Sequence, residues 1–315
     1  MKKLMLSLVL ILVLLVAAVY IFIPAQIKVS AVKKIGASEP GTARLFLDSS
    51  WTKWWGADDS TGNSFSAENG VYICNGSEFR LAKLLHMSAD ITITHNEQAF
   101  TSRALVIAKT TDTSVIQWQL TLDGGSNPIE RFKNYRTAVA LKKNIDNVIN
   151  RFRHFVEKPE NVYGITLART SIKDTLFISK KASYSYYPHT AAIYEQVAIL
   201  KTYAEKNGAQ QISAPIYHIT RIDSNHYELM TAVPINKKLD GDATFTFKRM
   251  IPGSFIVAEV KGGEQAVETA SRNLDQFFED YNKTAMAISF RMLLTNRLET
   301  PDSTQWVTRL YHPVY

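Results

Sequence analysis

A chain of 315 residues, 46% apolar and 21% charged, has material for about two domains and is too apolar to be a disordered polymer. Its net charge of +7 is mild and spread along the chain, with no basic block and no separate DNA-reading helix pair, so no nucleic-acid partner is expected. One cysteine, Cys74, excludes an internal disulfide, and seven scattered histidines with no H-E-x-x-H or C-x-x-C spacing suggest neither a metal centre nor any other cofactor.

The chain opens with Lys2 and Lys3, then runs from Leu4 to Ile23 without a charge. At about 1.5 Å per residue that stretch spans a hydrocarbon core of about 30 Å. Tyr20 and Phe22 lie near its exit, where interfacial aromatics belong. A cleaved signal peptide would have a shorter apolar region, about 7–15 residues, ending at a small-x-small site. Val16-Ala17-Ala18-Val19 is a poor version of one, so residues 1–25 read as an uncleaved transmembrane anchor. Lys2 and Lys3 argue for an inside N-terminus, although Lys28, Lys33 and Lys34 weaken the bias. The body is therefore expected on the non-cytoplasmic, periplasmic side of the cell membrane.

Gln26 to Ile35 alternates as a strand, and Glu39-Pro40 starts a short helix through Leu47. Trp51, Trp54 and Trp55 follow in a loop. Runs at Val71–Cys74, Arg80–Leu85, Ile91–His95, Ala99–Ile107 and Ser114–Leu122, separated by turn residues, predict an antiparallel meander. Gly124-Gly125 ends it, and a long helix is predicted from Asn134 or Tyr135 to Val156, with Leu141, Ile145, Val148, Phe152 and Phe155 on one face. Strand, short helix, Trp-rich loop, meander and long helix over residues 26–157 resemble the SRPBCC superfamily, the START-like and polyketide-cyclase-like helix-grip domains. That resemblance implies a cavity between helix and sheet for a hydrophobic ligand; the alternative is that the tryptophans plug one end of the sheet. Residues 158–162 around Pro159 read as a linker, because proline disfavours helix at the residue before it.

Residues 163–315 read as one unit written twice. The first copy has a strand at Thr175–Ile178 and a helix opened by Pro188 and Thr190, with Ile193, Val197, Leu200 and Ala204 on one face. Asn207-Gly208 stops that helix, and strands follow at Ile216–Ile219 and Tyr227–Met230. The second copy has a strand at Ser254–Val260, a helix marked by Val267, Ala270, Leu274, Phe277 and Tyr281, and strands at Ile288–Leu294 and Val307–Tyr311. The expected class is therefore α+β: a transmembrane helix, a helix-grip antiparallel sheet domain, then a duplicated β-α-β-β domain. Both of the duplicated helices are expected on one sheet face, with a cleft between the halves, where small molecules commonly bind.

Tyr227-Glu228 leading into Ala232-Val233-Pro234-Ile235, Pro252-Gly253 with Gly262-Gly263, and Trp306 to Val314 resemble the GyrI-like domain, the bacterial transcription-activator effector-binding domain. The resemblance implies a central pocket for hydrophobic, often cationic, small molecules, with some hydrolase relatives. This chain departs from the pattern where the penultimate strand usually carries an acid: Thr295 stands there, with Arg297 in place of the usual tyrosine. The candidate ligand-binding residues are Tyr194, Tyr217, Tyr227, Glu228, Phe255, Glu259 and Trp306. No nucleophile motif appears: Gly253-Ser254 is not G-x-S-x-G, Asp123-Gly124-Gly125-Ser126 is a turn, and the adjacent carboxylates Asp58-Asp59 fall in a loop. Binding or sensing of a hydrophobic or amphipathic small molecule is the leading expectation, with the membrane as the other partner. A hydrolase or cyclase using Glu and Tyr is the alternative.

Overall fold

The apolar N-terminus forms one helix, α1 (Lys2–Phe22). Its apolar side chains point outward all round, Leu6 and Leu14 being 75% and 61% exposed, so it has no buried face within the protein. It is long and apolar enough to cross a membrane. The computed structural model describes residues 2–48, 51–56, 65–68, 70–172, 175–250, 252–284 and 287–314; Asp58-Asp59 lies outside them. The chain divides into two units, Met1–Lys158 and Pro159–Tyr315.

In the first unit, β1 (Gln26–Ile35) alternates buried and exposed, as a half-buried strand should. Two short helices follow: α2 (Glu39–Phe46), capped by the Ser38 hydroxyl, and α3 (Thr52–Trp55). Strands β2 (Phe65–Glu68), β3 (Val71–Cys74), β4 (Ser77–Leu85), β5 (Ser88–His95), β6 (Gln98–Thr110) and β7 (Thr113–Asp123) form a meander. The last strand returns to pair with the first along its full length, giving the antiparallel order β1-β7-β6-β5-β4-β3-β2. The long helix α4 (Pro128–Val156) packs on β1 and β7 and also reaches β3, so the sheet curls around it.

The helix starts about two turns earlier than the periodicity predicts. Asn127 accepts from Glu130 N at 2.9 Å, and Glu130 accepts from Ser126 N at 3.3 Å. This reciprocal cap, with Pro128 in the first turn, is what begins it. Gly124 can only be glycine, because a Cβ there would lie 2.4 Å from the Pro24 carbonyl oxygen.

The tryptophans fill the space between helix and sheet. Trp51, Trp54, Trp55 and Trp118 are fully buried with Phe46, Phe79 and Phe152. Trp51 and Trp55 stack at 5.3 Å, while Phe46 sits 4.9 Å from Phe152. Every indole N–H of the four is satisfied, by Phe46 O, Leu45 O, Ile73 O and Ser102 Oγ. Among the described residues, the space between helix and sheet is filled by the chain's own rings, where the helix-grip resemblance implies a cavity.

The second unit begins with α5 (Pro159–Tyr163) where a linker is expected. Proline is tolerated in a first turn, and Tyr163 is anchored by donating to Asp280 Oδ2 at 2.7 Å. The remaining elements are β8 (Leu167–Ile172), β9 (Thr175–Tyr184), α6 (Thr190–Lys206), β10 (Ile216–Arg221), β11 (Tyr227–Ile235), β12 (Thr246–Met250), β13 (Gly253–Lys261), α7 (Glu264–Asp280), β14 (Phe290–Leu293) and β15 (Val307–Val314). Their antiparallel order is β12-β9-β11-β10-β14-β15-β13-β8, which reads with the same logic from either end. The two central strands are β10 and β14, one on each side of the seam.

Both long helices cover one face of this sheet. Ile178, Val233 and Ile235 pack under α6, and Ala258, Val260 and Leu310 pack under α7. Because side chains alternate, Phe177, Ala232, Phe255, Val257, Phe290 and Tyr311 form a separate cluster on the opposite face.

Candidate ligand cleft

The register at the seam decides the site. Tyr217 of β10 lies directly opposite Arg291 of β14, and both point to the helix-covered face. The guanidinium carbon is 5.8 Å from the Tyr217 ring centroid. Arg291 also donates through Nη1 to Glu268 of α7 and to the Tyr187 hydroxyl at 3.2 Å, and through Nη2 to Ser271 Oγ at 3.4 Å. Tyr187, in the β9–α6 loop, itself donates to Glu268. One cation, one carboxylate and one phenol from three elements therefore meet at the centre of the fold.

Burial alone would raise the Glu268 carboxyl, but the Arg291 and Tyr187 hydrogen bonds outweigh it and hold it below the usual range. Tyr187 is pushed well above the ordinary phenol value by burial and by the adjacent carboxylate. Burial opposes the charge on Arg291, yet Tyr217 and Glu268 keep it more firmly protonated than a free guanidinium. These directions fix Glu268 as an anion and Tyr187 as a neutral donor.

A second polar cluster joins the helix starts. His189 precedes α6 without a side-chain cap of its own. Glu264, the first residue of α7, instead accepts from Thr190 N at 2.7 Å and from His189 Nδ1 at 2.6 Å. Its carboxyl would be raised by burial but is held low by His189 and Thr190. The Thr190 hydroxyl donates to Glu264 and accepts from Arg297 Nη1 at 3.0 Å. Arg297, 4% exposed, also reaches Thr308 Oγ1 at 2.8 Å and lies over the Trp306 ring at 4.7 Å. Its Nε is buried without a hydrogen-bond partner.

Beside Arg291 the seam opens into a cleft of about 230 Å³ whose lining includes His218, Ser271, Arg272, Asp275, Arg291 and His312. His312 is held to Asp275 Oδ1 at 3.2 Å through Nε2, leaving Nδ1 buried and unbonded. His218 is kept neutral more strongly than free histidine, chiefly by burial. On the other side of Arg291, between Tyr187, Ile193 and Tyr217, only about 10 Å³ remains. The seam is thus open and polar at one end and filled at the other.

Of the sequence-derived candidates, none is among the residues lining the cleft of about 230 Å³; Tyr217 stands opposite Arg291, Tyr227 packs on Tyr187, and Tyr194 and Trp306 contact Arg297. The Tyr194 hydroxyl donates to Thr295 O at 3.1 Å and accepts from Arg297 N at 2.9 Å, pinning the turn after β14. Thr295 closes that turn by accepting from Val307 N at 3.0 Å. Tyr227 packs edge-on to Tyr187 at 5.7 Å. Trp306 donates to Thr300 O at 2.7 Å. Glu228, Phe255 and Glu259 are not brought together with them. Glu228 alternates with Leu229 and pairs with Lys181 at 2.7 Å, Glu259 alternates with Ala258 and pairs with Arg309 at 2.8 Å, and Phe255 packs with Phe290 and Tyr311 across the sheet. Glu268, Arg291 and Glu264 are absent from the sequence-derived set. Their signals were a lone arginine in the apolar run Ser289-Phe-Arg-Met-Leu-Leu and two glutamates four apart beside Val267.

No family model matches this chain, and no curated protein does. Several solved structures are similar to about half of this chain. The EcmrR C-terminal domain is 15% identical, with a TM-score of 0.42, covering 48% of this chain and 98% of that one. A hydrolase from Listeria innocua is 12% identical, with a TM-score of 0.38 and coverages of 48% and 92%. SAV2435 bound to tetraphenylphosphonium is 13% identical, with a TM-score of 0.32 and coverages of 48% and 94%.

Proposed function

We propose that this chain is a single-pass membrane-tethered binding protein whose second unit, a duplicated GyrI-like domain, holds a small amphipathic molecule in the cleft beside Arg291. In this reading α1 is the uncleaved anchor and the body lies on the non-cytoplasmic side. The first unit is read as an SRPBCC-like scaffold whose described interior is packed with its own aromatic rings.

The observation that carries the proposal is the charged group at the seam. Partly buried ion pairs contribute little net stability compared with packed apolar side chains. A fold that needed only to seal its two halves would place aliphatic residues at the position of Arg291 and Glu268. Here they stand at the mouth of a cleft of about 230 Å³, where a ligand group can exchange for one of them.

The same geometry selects the ligand's charge. The aromatic faces that would receive a cation are taken by the guanidinium groups of Arg291 and Arg297. An anionic or strongly accepting head group can replace Glu268 on Arg291 or bind Arg272, leaving its apolar part against Ile219 and Leu310. For the alternative of a hydrolase or cyclase working through Glu and Tyr, Glu268 held low and Tyr187 held high are a poorly matched base and acid at neutral pH.

Thermal unfolding of the detergent-solubilised full chain tests this, with naphthoate as the anion and tetraphenylphosphonium as the cation. Naphthoate is expected to raise Tm in the wild type and not in Arg291→Gln. Stabilisation by the cation alone would overturn the charge preference, and no shift with either compound would overturn binding at this site.

A further inference from the structure

The first half of α4 carries apolar side chains on two faces. Ala138, Leu141, Ile145 and Val148 are buried against the sheet. On the side turned away from them lie Ile129, Phe132, Tyr135 and Val139, spaced three or four residues apart and 81%, 54%, 43% and 53% exposed. Residues 128–143 also hold five bases, Arg131, Lys133, Arg136, Lys142 and Lys143, against one acid, Glu130.

This stripe starts beside the end of α1. The Tyr20 hydroxyl donates to Ser126 O at 2.9 Å. Arg131 stacks on the Tyr20 ring at 4.5 Å and donates to Ile23 O at 3.2 Å. Ala18 and Val19 are half-buried while the rest of the span is exposed, and α1 touches α4. The first turns of α4 therefore lie at the depth of the last turn of α1, and Tyr135, one turn beyond Arg131, continues the stripe from that contact.

We propose that the first half of α4 docks on the surface of an anionic lipid bilayer, with Ile129, Phe132, Tyr135 and Val139 at the headgroup boundary and the flanking bases on the lipid phosphates. The proposal rests on α1 being a membrane span. A stripe of exposed aromatic and branched side chains flanked by lysine and arginine is the composition that binds membrane interfaces. The contact would hold the first unit against the bilayer at a second point besides the anchor.

Spin labels test it on the full chain with Cys74→Ala, in nanodiscs of phosphatidylcholine with or without one quarter phosphatidylglycerol. Labels at Phe132→Cys and Val139→Cys are expected to be more accessible to oxygen than to a water-soluble nickel chelate. A label at Thr111→Cys, at the far end of the β6–β7 hairpin, should show the reverse. Lys133→Glu with Arg136→Glu should shrink the difference at 132 in the anionic discs. Aqueous accessibility at 132 and 139 in a chain that has entered the disc overturns the docking and leaves the anchor standing. Low accessibility to both oxygen and the nickel chelate at 132 and 139 in the discs means that a second copy covers the stripe and also overturns it. Failure of the chain to enter the disc overturns both readings.

Discussion

Arg291 is the residue on which the seam turns, and its neighbours make its role measurable. Glu268→Gln keeps the shape but leaves a mostly buried guanidinium without its carboxylate, so we expect a loss of about 2 kcal/mol in unfolding free energy. The pair Arg291→Met with Glu268→Leu removes both charges and should cost less than Glu268→Gln alone, which a double-mutant cycle by denaturant unfolding checks. The pH dependence has one sign throughout. His218 is held below the ordinary histidine value of 6.5, so acidification protonates the unfolded chain first and stability begins to fall below that pH. Glu264 and Glu268 are held below the ordinary glutamate value of 4.5; the stability they contribute is whole above 4.5 and is lost as pH falls through their folded values. Thermal unfolding should therefore weaken in two steps on acidification, and His218→Gln should remove the earlier one. Tyr217, beside Arg291, was legible as an aromatic at a strand start, but none of the residues lining the cleft was among the candidates. Glu268 and Arg291 were not, because each looks like a solvated charge until the β10–β14 register sets Arg291 opposite Tyr217 and α7 swings Glu268 over them.

Among elements, those with a strong internal period were readable and those defined by distant partners were not. The β1 span, the meander and the helix faces of α6 and α7 follow from alternation or three-to-four spacing within one segment. Strands β8 and β12 escaped because they are edges: Leu-Ala-Arg-Thr-Ser-Ile and Thr-Phe-Lys-Arg-Met bury little and show no clean alternation. The start of α4 was missed for another reason. Its first turns bury no side chain, so the sheet-facing apolar periodicity begins only at Ala138, whereas the cap Asn127-Pro128-Ile129-Glu130 and the exposed Ile129, Phe132 and Tyr135 carried the signal. That cap can be weighed. Asn127→Ala should cost about 1 kcal/mol, and Asn127→Ser should recover most of it, read as unfolding midpoints. Hydrogen exchange should show the loss concentrated in residues 128–134, because the remainder of α4 is held by Leu141, Ile145 and Phe152.

At the scale of the second unit, the sheet order carries a consequence beyond symmetry. Each half runs strand, strand, helix, strand, strand, and the leading strand of each half pairs with the other half: β8 lies beside β13, and β12 lies beside β9. The halves are therefore tied by exchanged edges as well as by the β10–β14 seam, which is only two residue pairs long. The exchanged outer ladders, five and six residue pairs long, hold the halves together more than the central one does. The exchange also protects β13, whose Ser254-Phe-Ile-Val-Ala run has the β-branched and aromatic composition of an aggregation-prone edge. A fragment of residues 159–315 should be monomeric and unfold cooperatively by circular dichroism, since its clusters are formed within it. A fragment starting at Thr175 lacks β8, which covers that edge, and Tyr163 and Ile165, which pack under α7. It should lose the cooperative transition and scatter light on concentration. If it stayed monomeric with an unchanged midpoint, the exchanged strand would be an ornament of the sheet and the short seam would have to hold the halves by itself.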